Sequence, residues 1–129
     1  MSPPRNVHIA VVDDDDSFRD ATEWLIRSLG FDVSGYASAE AFFLGVCADR
    51  KADCIISDIN MPGLTGIELK QRLNEEGNKV PVIFVSAQTD PSLPHRVIAC
   101  GGVALLQKPF QGRHLIDAVH RAIGIHPLN

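Results

Sequence analysis

The chain of 129 residues is the length of one domain, enough to bury a core and too short to divide in two. Its 45% apolar and 22% charged residues are ordinary for a globular protein, and its net charge of −4 argues against a basic nucleic-acid footprint. No apolar run approaches the ~20 residues that span a bilayer, and Met1-Ser2-Pro3-Pro4-Arg5-Asn6 lacks the apolar centre of an export signal; a cytoplasmic protein without membrane contact is expected.

Strand and helix patterns alternate from end to end, the signature of a parallel sheet with crossover helices. The first strand, His8-Ile9-Ala10-Val11-Val12, stops at the acid run Asp13 to Asp16. Ser17, with Asp20 three residues on, has the form of a capping box. The helix it is expected to open carries Phe18, Ala21, Leu25 and Leu29 at helical spacing and stops at Gly30. Phe31 to Ser34 is a weaker, edge-like strand, and Ser38 caps a second helix with Ala41, Phe42, Leu44 and Val46. Cys54-Ile55-Ile56-Ser57 is apolar nearly throughout, as befits a strand covered on both faces.

After the Pro62-Gly63 turn, Thr65-Gly66-Ile67-Glu68 spells another capping box, and the third helix ends near Gly77. Pro81 starts the fourth strand. Pro91 and Pro94 delay the fourth helix to about Pro94–Cys100, before Gly101-Gly102. A fifth strand from Val103 to Gln107 leads to Lys108-Pro109-Phe110, and a last helix aligns Leu115, Val119, Ala122 and Ile123. Residues 1–6 and 125–129 read as tails of one domain at 7–124. Cys47, Cys54 and Cys100 are far apart and lack metal-ligand spacing, so buried free thiols are expected. The histidines His8, His95, His114, His120 and His126 are equally scattered and read as structural.

In an open parallel α/β sheet the carboxyl ends of the strands share one edge, and ligands bind there. Four polar signals fall at that edge: the acids from Asp13, then Asp58, Ser86 and Lys108. Carboxylates brought close raise each other's pKa unless positive charge intervenes. A hard cation removes the conflict, and Mg²⁺ takes only one or two carboxylates plus phosphate oxygens while keeping several waters. One carboxylate then serves as nucleophile, as in aspartyl-phosphate chemistry. Ser86 would donate to a phosphoryl oxygen, and Lys108 would act as a point cation. Singly, each is an ordinary loop or turn residue. Together, in order at strand ends, they suit phosphoryl transfer.

The motifs Val11-Val12-Asp13-Asp14, Ser57-Asp58-Ile59-Asn60-Met61-Pro62-Gly63, Val85-Ser86-Ala87 and Lys108-Pro109-Phe110 resemble those of the receiver domain of bacterial two-component response regulators. The match covers nearly the whole chain. Ser38-Ala39-Glu40-Ala41-Phe42 is similar to receivers that precede LuxR-type (FixJ-like) output domains. The resemblance implies a flavodoxin-like, doubly wound, five-stranded parallel sheet of order 2-1-3-4-5 with five helices. It implies that Asp58 accepts a phosphoryl group from the phosphohistidine of a sensor histidine kinase. Asp14, Asp58 and the Asn60 carbonyl would ligate Mg²⁺, with Asp13 acting largely through a water. Ser86 would be the hydroxyl that moves toward the phosphoryl group and Lys108 its cationic partner, while Asn60 and Gln88 would tune the rate of water attack. The Lys108-Pro109 bond is usually cis in the family.

Such a domain is a phosphorylation switch rather than a turnover enzyme. It passes its signal to a downstream protein or to an output domain of its own, and a phosphorylation-dependent dimer is a further implied state. The chain departs from the family pattern at Leu105, where an aromatic switch residue is common, at Gly101-Gly102, where Gly-Ala is common, and at Pro91 and Pro94. All lie on the face of helix four, strand five and helix five, so the chemistry is expected intact and the output surface atypical. Three other readings compete. A Mg²⁺-dependent phosphohydrolase would need an acid two residues after its nucleophile, where Asn60 stands. A flavodoxin-like nucleotide binder would need a glycine-rich loop after the first strand, where there are acids. A degenerate receiver would bind partners without phosphorylation despite its intact Asp13, Asp14, Asp58, Ser86 and Lys108.

Overall fold

Three strands carry no polar face at all. In the computed structural model, which describes residues 7–46 and 51–124, β1 (His8–Val12), β3 (Cys54–Asp58) and β4 (Val82–Ser86) are buried at every position. Such strands must be covered on both sides, and a parallel sheet with helices on each face does so. The remaining elements are α1 (Asp16–Ser28), β2 (Asp32–Tyr36), α2 (Ala39–Val46), α3 (Gly66–Glu75), α4 (Leu93–Cys100), β5 (Ala104–Gln107) and α5 (Gly112–Ala122). All strand pairings are parallel and the order is β2-β1-β3-β4-β5. The half-buried β2 and β5 are the edges.

Alternation along the strands divides the core in two. Ala10, Val12, Ile55 and Phe84 face α2, α3 and α4, where Phe42, Leu69, Leu73 and Val97 pack against them. Ile9, Val11, Ile56, Ile83 and Val85 face α1 and α5, meeting Ile26, Leu115 and Val119. Burial of each Val, Leu, Ile and Phe among them contributes ~1.5–3 kcal/mol.

Most helix ends follow the sequence signals. Ser38 Oγ accepts the Ala41 amide at 3.0 Å, and Thr65 with Glu68 forms a complete capping box. Gly30, Gly77 and Gly101 adopt the positive φ that ends a helix without steric cost. The first helix departs from expectation. Its N-cap is Asp15, whose carboxylate accepts from the Phe18 amide, and Ser17 lies inside the first turn. Asp15 wins because the chain turns directly after β1, placing an equally good oxygen acceptor two residues earlier. The buried face of α1 is therefore centred on Thr22 and Ile26, and Ala21 is exposed. β2 begins one residue later than expected and runs on to Tyr36, in register with His8 to Val12.

Gly102 has a packing reason. A side chain there would meet the Phe84 ring and Val97, so the core has taken the space a methyl would need. Cys54 and Cys100 are buried free thiols, and burial pushes Cys54 up to about 12, which keeps it inert. Cys47, His126 and the proposed tails 1–6 and 125–129 lie outside the described residues. His8 is buried, with Nε2 3.0 Å from Ser34 Oγ. Among the described residues, no helix is long and apolar enough to cross a membrane.

Thr65→Ala removes one half of the α3 capping box and leaves the Glu68 amide without its acceptor. The expected loss is about 1 kcal/mol of folding stability, read as a lowered urea midpoint with an unchanged slope; an unaltered midpoint would show that the cap contributes nothing.

Candidate functional site

The carboxyl ends of β1, β3, β4 and β5 meet at one edge, and the four expected signals meet with them. Asp13 follows β1 and is 1% exposed. Its amide donates to the Tyr36 carbonyl at 3.0 Å, and its Oδ1 accepts from the Asp15 amide at 2.9 Å. Asp58 closes β3 in register with Val85, and Ser86 closes β4; both are buried. Asp14 is exposed beside them. One carboxylate oxygen from each of Asp13, Asp14 and Asp58 lies within 4.8 Å of the others. Lys108 reaches back from β5 to place Nζ 3.0 Å from Asp13 Oδ2, and its amide donates to the Ser86 carbonyl at 2.7 Å. The Lys108-Pro109 bond is cis.

Three acids against one ammonium leave the edge short of positive charge. Asp58 shows it: burial first, then the neighbouring Asp13 and Asp14, push its carboxyl from 3.8 up to about 6, with Lys108 pulling the other way. Hard oxygen donors at this spacing, with a negative charge in excess, match the donor set of a small divalent cation.

The chain's sequence matches the family of response regulator receiver domains over residues 9–120. It belongs to that family. Two relatives are 36% identical: the transcriptional regulatory protein TdiR of Thauera aromatica, over 92% of this chain, and the transcriptional regulatory protein FixJ of Azorhizobium caulinodans, over 94%. The chain spans about half the length of these relatives, 52% and 57% respectively. A response regulator receiver protein from Burkholderia phymatum is 38% identical and superposes with a TM-score of 0.84, covering 95% of this chain and all of that one.

The receiver family supplies the phosphoacceptor switch of two-component signalling, meets sensor histidine kinases and binds Mg²⁺ at its acidic pocket; it is not a family of turnover enzymes. In this receiver the sheet edge fits that cation, since it gathers Asp13, Asp14 and Asp58. Asn60 is exposed in the loop after β3, and Gln88 is exposed after β4 with its amide donating to Ser86 Oγ at 3.0 Å. Leu105 is half-buried, packs against the α2–α3–α4 cluster and borders a pocket of about 230 Å³ with Ser86, Pro91 and Pro94.

Some contributors have a role at the site that the sequence reading did not give them. Arg19 donates to the Asp13 carbonyl at 2.8 Å and so fixes the turn after β1. Glu40 accepts the Leu64 amide at 3.0 Å and braces the loop that carries Asn60. That bond holds the Glu40 carboxyl below its usual range. Gly66 is required because a Cβ there would strike the Asp58 carbonyl. Phe18, read from the sequence only as a helix core residue, lies with its ring centroid 3.9 Å from Lys108 Nζ.

Because Asp58 has a higher pKa folded than unfolded, the folded state holds its proton more tightly. Its charge therefore opposes folding above about 6, and that penalty is relieved as pH falls through about 6 towards 3.8. The interval from 3.8 to about 6 sets a ceiling of ~3 kcal/mol. Asp58→Asn is expected to raise metal-free stability by ~2 kcal/mol near neutral pH, with the gain gone at about pH 4. Urea unfolding across that range checks this; equal stabilities at neutral pH would show that the charge carries no penalty.

Proposed function

We propose that this receiver takes a phosphoryl group on Asp58 from the phosphohistidine of a sensor kinase. The supporting observation is the convergence of Asp13, Asp14 and Asp58 with Lys108 and Ser86 at one sheet edge, where Asp13, Asp58 and Ser86 are buried. An Asp58 carboxylate oxygen forms the new P–O bond as the P–N bond of the donor breaks, and the electron pair leaves with the imidazole. Water later attacks the acyl phosphate and restores the carboxylate. Asp14, Asp58 and the Asn60 carbonyl are the ligands we assign to Mg²⁺, with Asp13 in support, and the cation would supply charge neutralisation at the phosphoryl oxygens.

The remaining work belongs to side chains. Lys108 offsets the negative charge of Asp13 in the resting state and is placed to meet a phosphoryl oxygen as a second point cation. The Ser86 hydroxyl, which accepts the Gln88 amide, retains its own proton to donate. Asn60 and Gln88 are exposed on either side and tune access of water. Leu105 offers no polar tip to exchange between core and solvent, so any response at β5 would be a change of apolar packing beside the 230 Å³ pocket.

The domain proper is assigned to residues 7–124, and its place is the cytoplasm. Downstream, the signal passes to an output domain of the same polypeptide or to a separate protein, with phosphorylation-dependent pairing as one route. The first option is favoured by the greater length of the transcriptional regulators it resembles.

Incubation with phosphoramidate and Mg²⁺, followed by intact mass, is expected to show one added phosphoryl group on wild type and none on Asp58→Asn. Omission of Mg²⁺ should abolish uptake. A wild type that binds Mg²⁺ and beryllofluoride yet gains no mass would refute the switch and leave a phosphorylation-independent binding module.

A further inference from the structure

The ammonium of Lys108 has two neighbours of different kinds. One is the Asp13 carboxylate at 3.0 Å; the other is the face of the Phe18 ring, 3.9 Å away. The ring is itself held. Phe110, two residues after Lys108, meets it edge-on with centroids 5.9 Å apart and planes at 83°. The first turn of α1 and the loop after β5 thus form a bracket, with an aromatic face on the cation and the two rings packed edge to face. That is the arrangement the ring quadrupole favours for both contacts.

An aromatic face suits this position for an electrostatic reason. The edge already gathers three carboxylates, with one oxygen from each within 4.8 Å of the others. A further acid beside Lys108 would hold the ammonium but add to that crowding. An aliphatic side chain would desolvate the ammonium without attracting it. A phenyl ring attracts the cation, carries no net charge and does not titrate.

We infer that Phe18 is a positioning residue for the phosphorylation reaction, its ring face holding the Lys108 ammonium over the acidic edge. The inference rests on the phosphoacceptor reading above. It assigns to Phe18 an action through Lys108 alone, with no contact to the phosphoryl donor.

The test is a cycle of phosphoramidate uptake rates at saturating Mg²⁺. Phe18→Leu is expected to slow uptake about five-fold, the range of a half-exposed cation–π contact, and to change nothing further in a Lys108→Met background. Mono-, di- and pentafluorinated phenylalanine at position 18, which keep the ring's shape while draining its negative face, are expected to slow uptake progressively. A flat fluorination series, or an equal loss from Phe18→Leu in both backgrounds, would overturn the role of Phe18 while leaving the receiver reading intact. Absence of any uptake by wild type would overturn both.

Discussion

The ion pair between Lys108 and Asp13 is the contact on which the functional edge depends. Asp13 is almost wholly buried, and Asp58 is buried next to it. Two buried carboxylates side by side are tolerated only if a cation or a proton intervenes. Both remedies bear on this edge: the ammonium stands 3.0 Å from Asp13, and Asp58 holds a proton up to about pH 6. The edge is thus built around an unmet demand for positive charge.

The parallel sheet explains how residues so distant in sequence reach one another. Each crossover returns the chain to the same end, so whatever follows an interior strand arrives at the same edge. Burial of β1, β3 and β4 on both faces holds their last residues in fixed register. The edge strand β5 is tied in by the Lys108 amide on the Ser86 carbonyl. The scaffold fixes Asp13, Asp58 and Ser86, and Lys108 arrives from the half-buried edge strand β5.

Much of this was legible before the structure. The chemistry-bearing residues directly follow apolar runs, so finding the strands also located the site. Strands buried on both faces have no period, and run length with flanking turns had to serve in its place. That method started β2 one residue early and ended it two residues short, because its half-buried side chains mark neither face cleanly. The cap of α1 was misread because Asp15 and Ser17 both satisfy the local rule, and the choice is made by where β1 delivers the chain. The contacts of Phe18 with Lys108 and of Glu40 with Leu64 left no local trace at all. They join separate elements, and neither residue type is unusual where it stands.

The Glu40 brace has a consequence for the order in which the molecule responds to acid. Its carboxyl, bonded to the Leu64 amide, is held below the usual range, whereas Asp58 is pushed up to about 6. On acidification Asp58 therefore takes up its proton first, while the loop beside it is still fastened to α2. Mild acid thus neutralises Asp58 without releasing the loop beside it, and the return of neutral pH finds that loop already set.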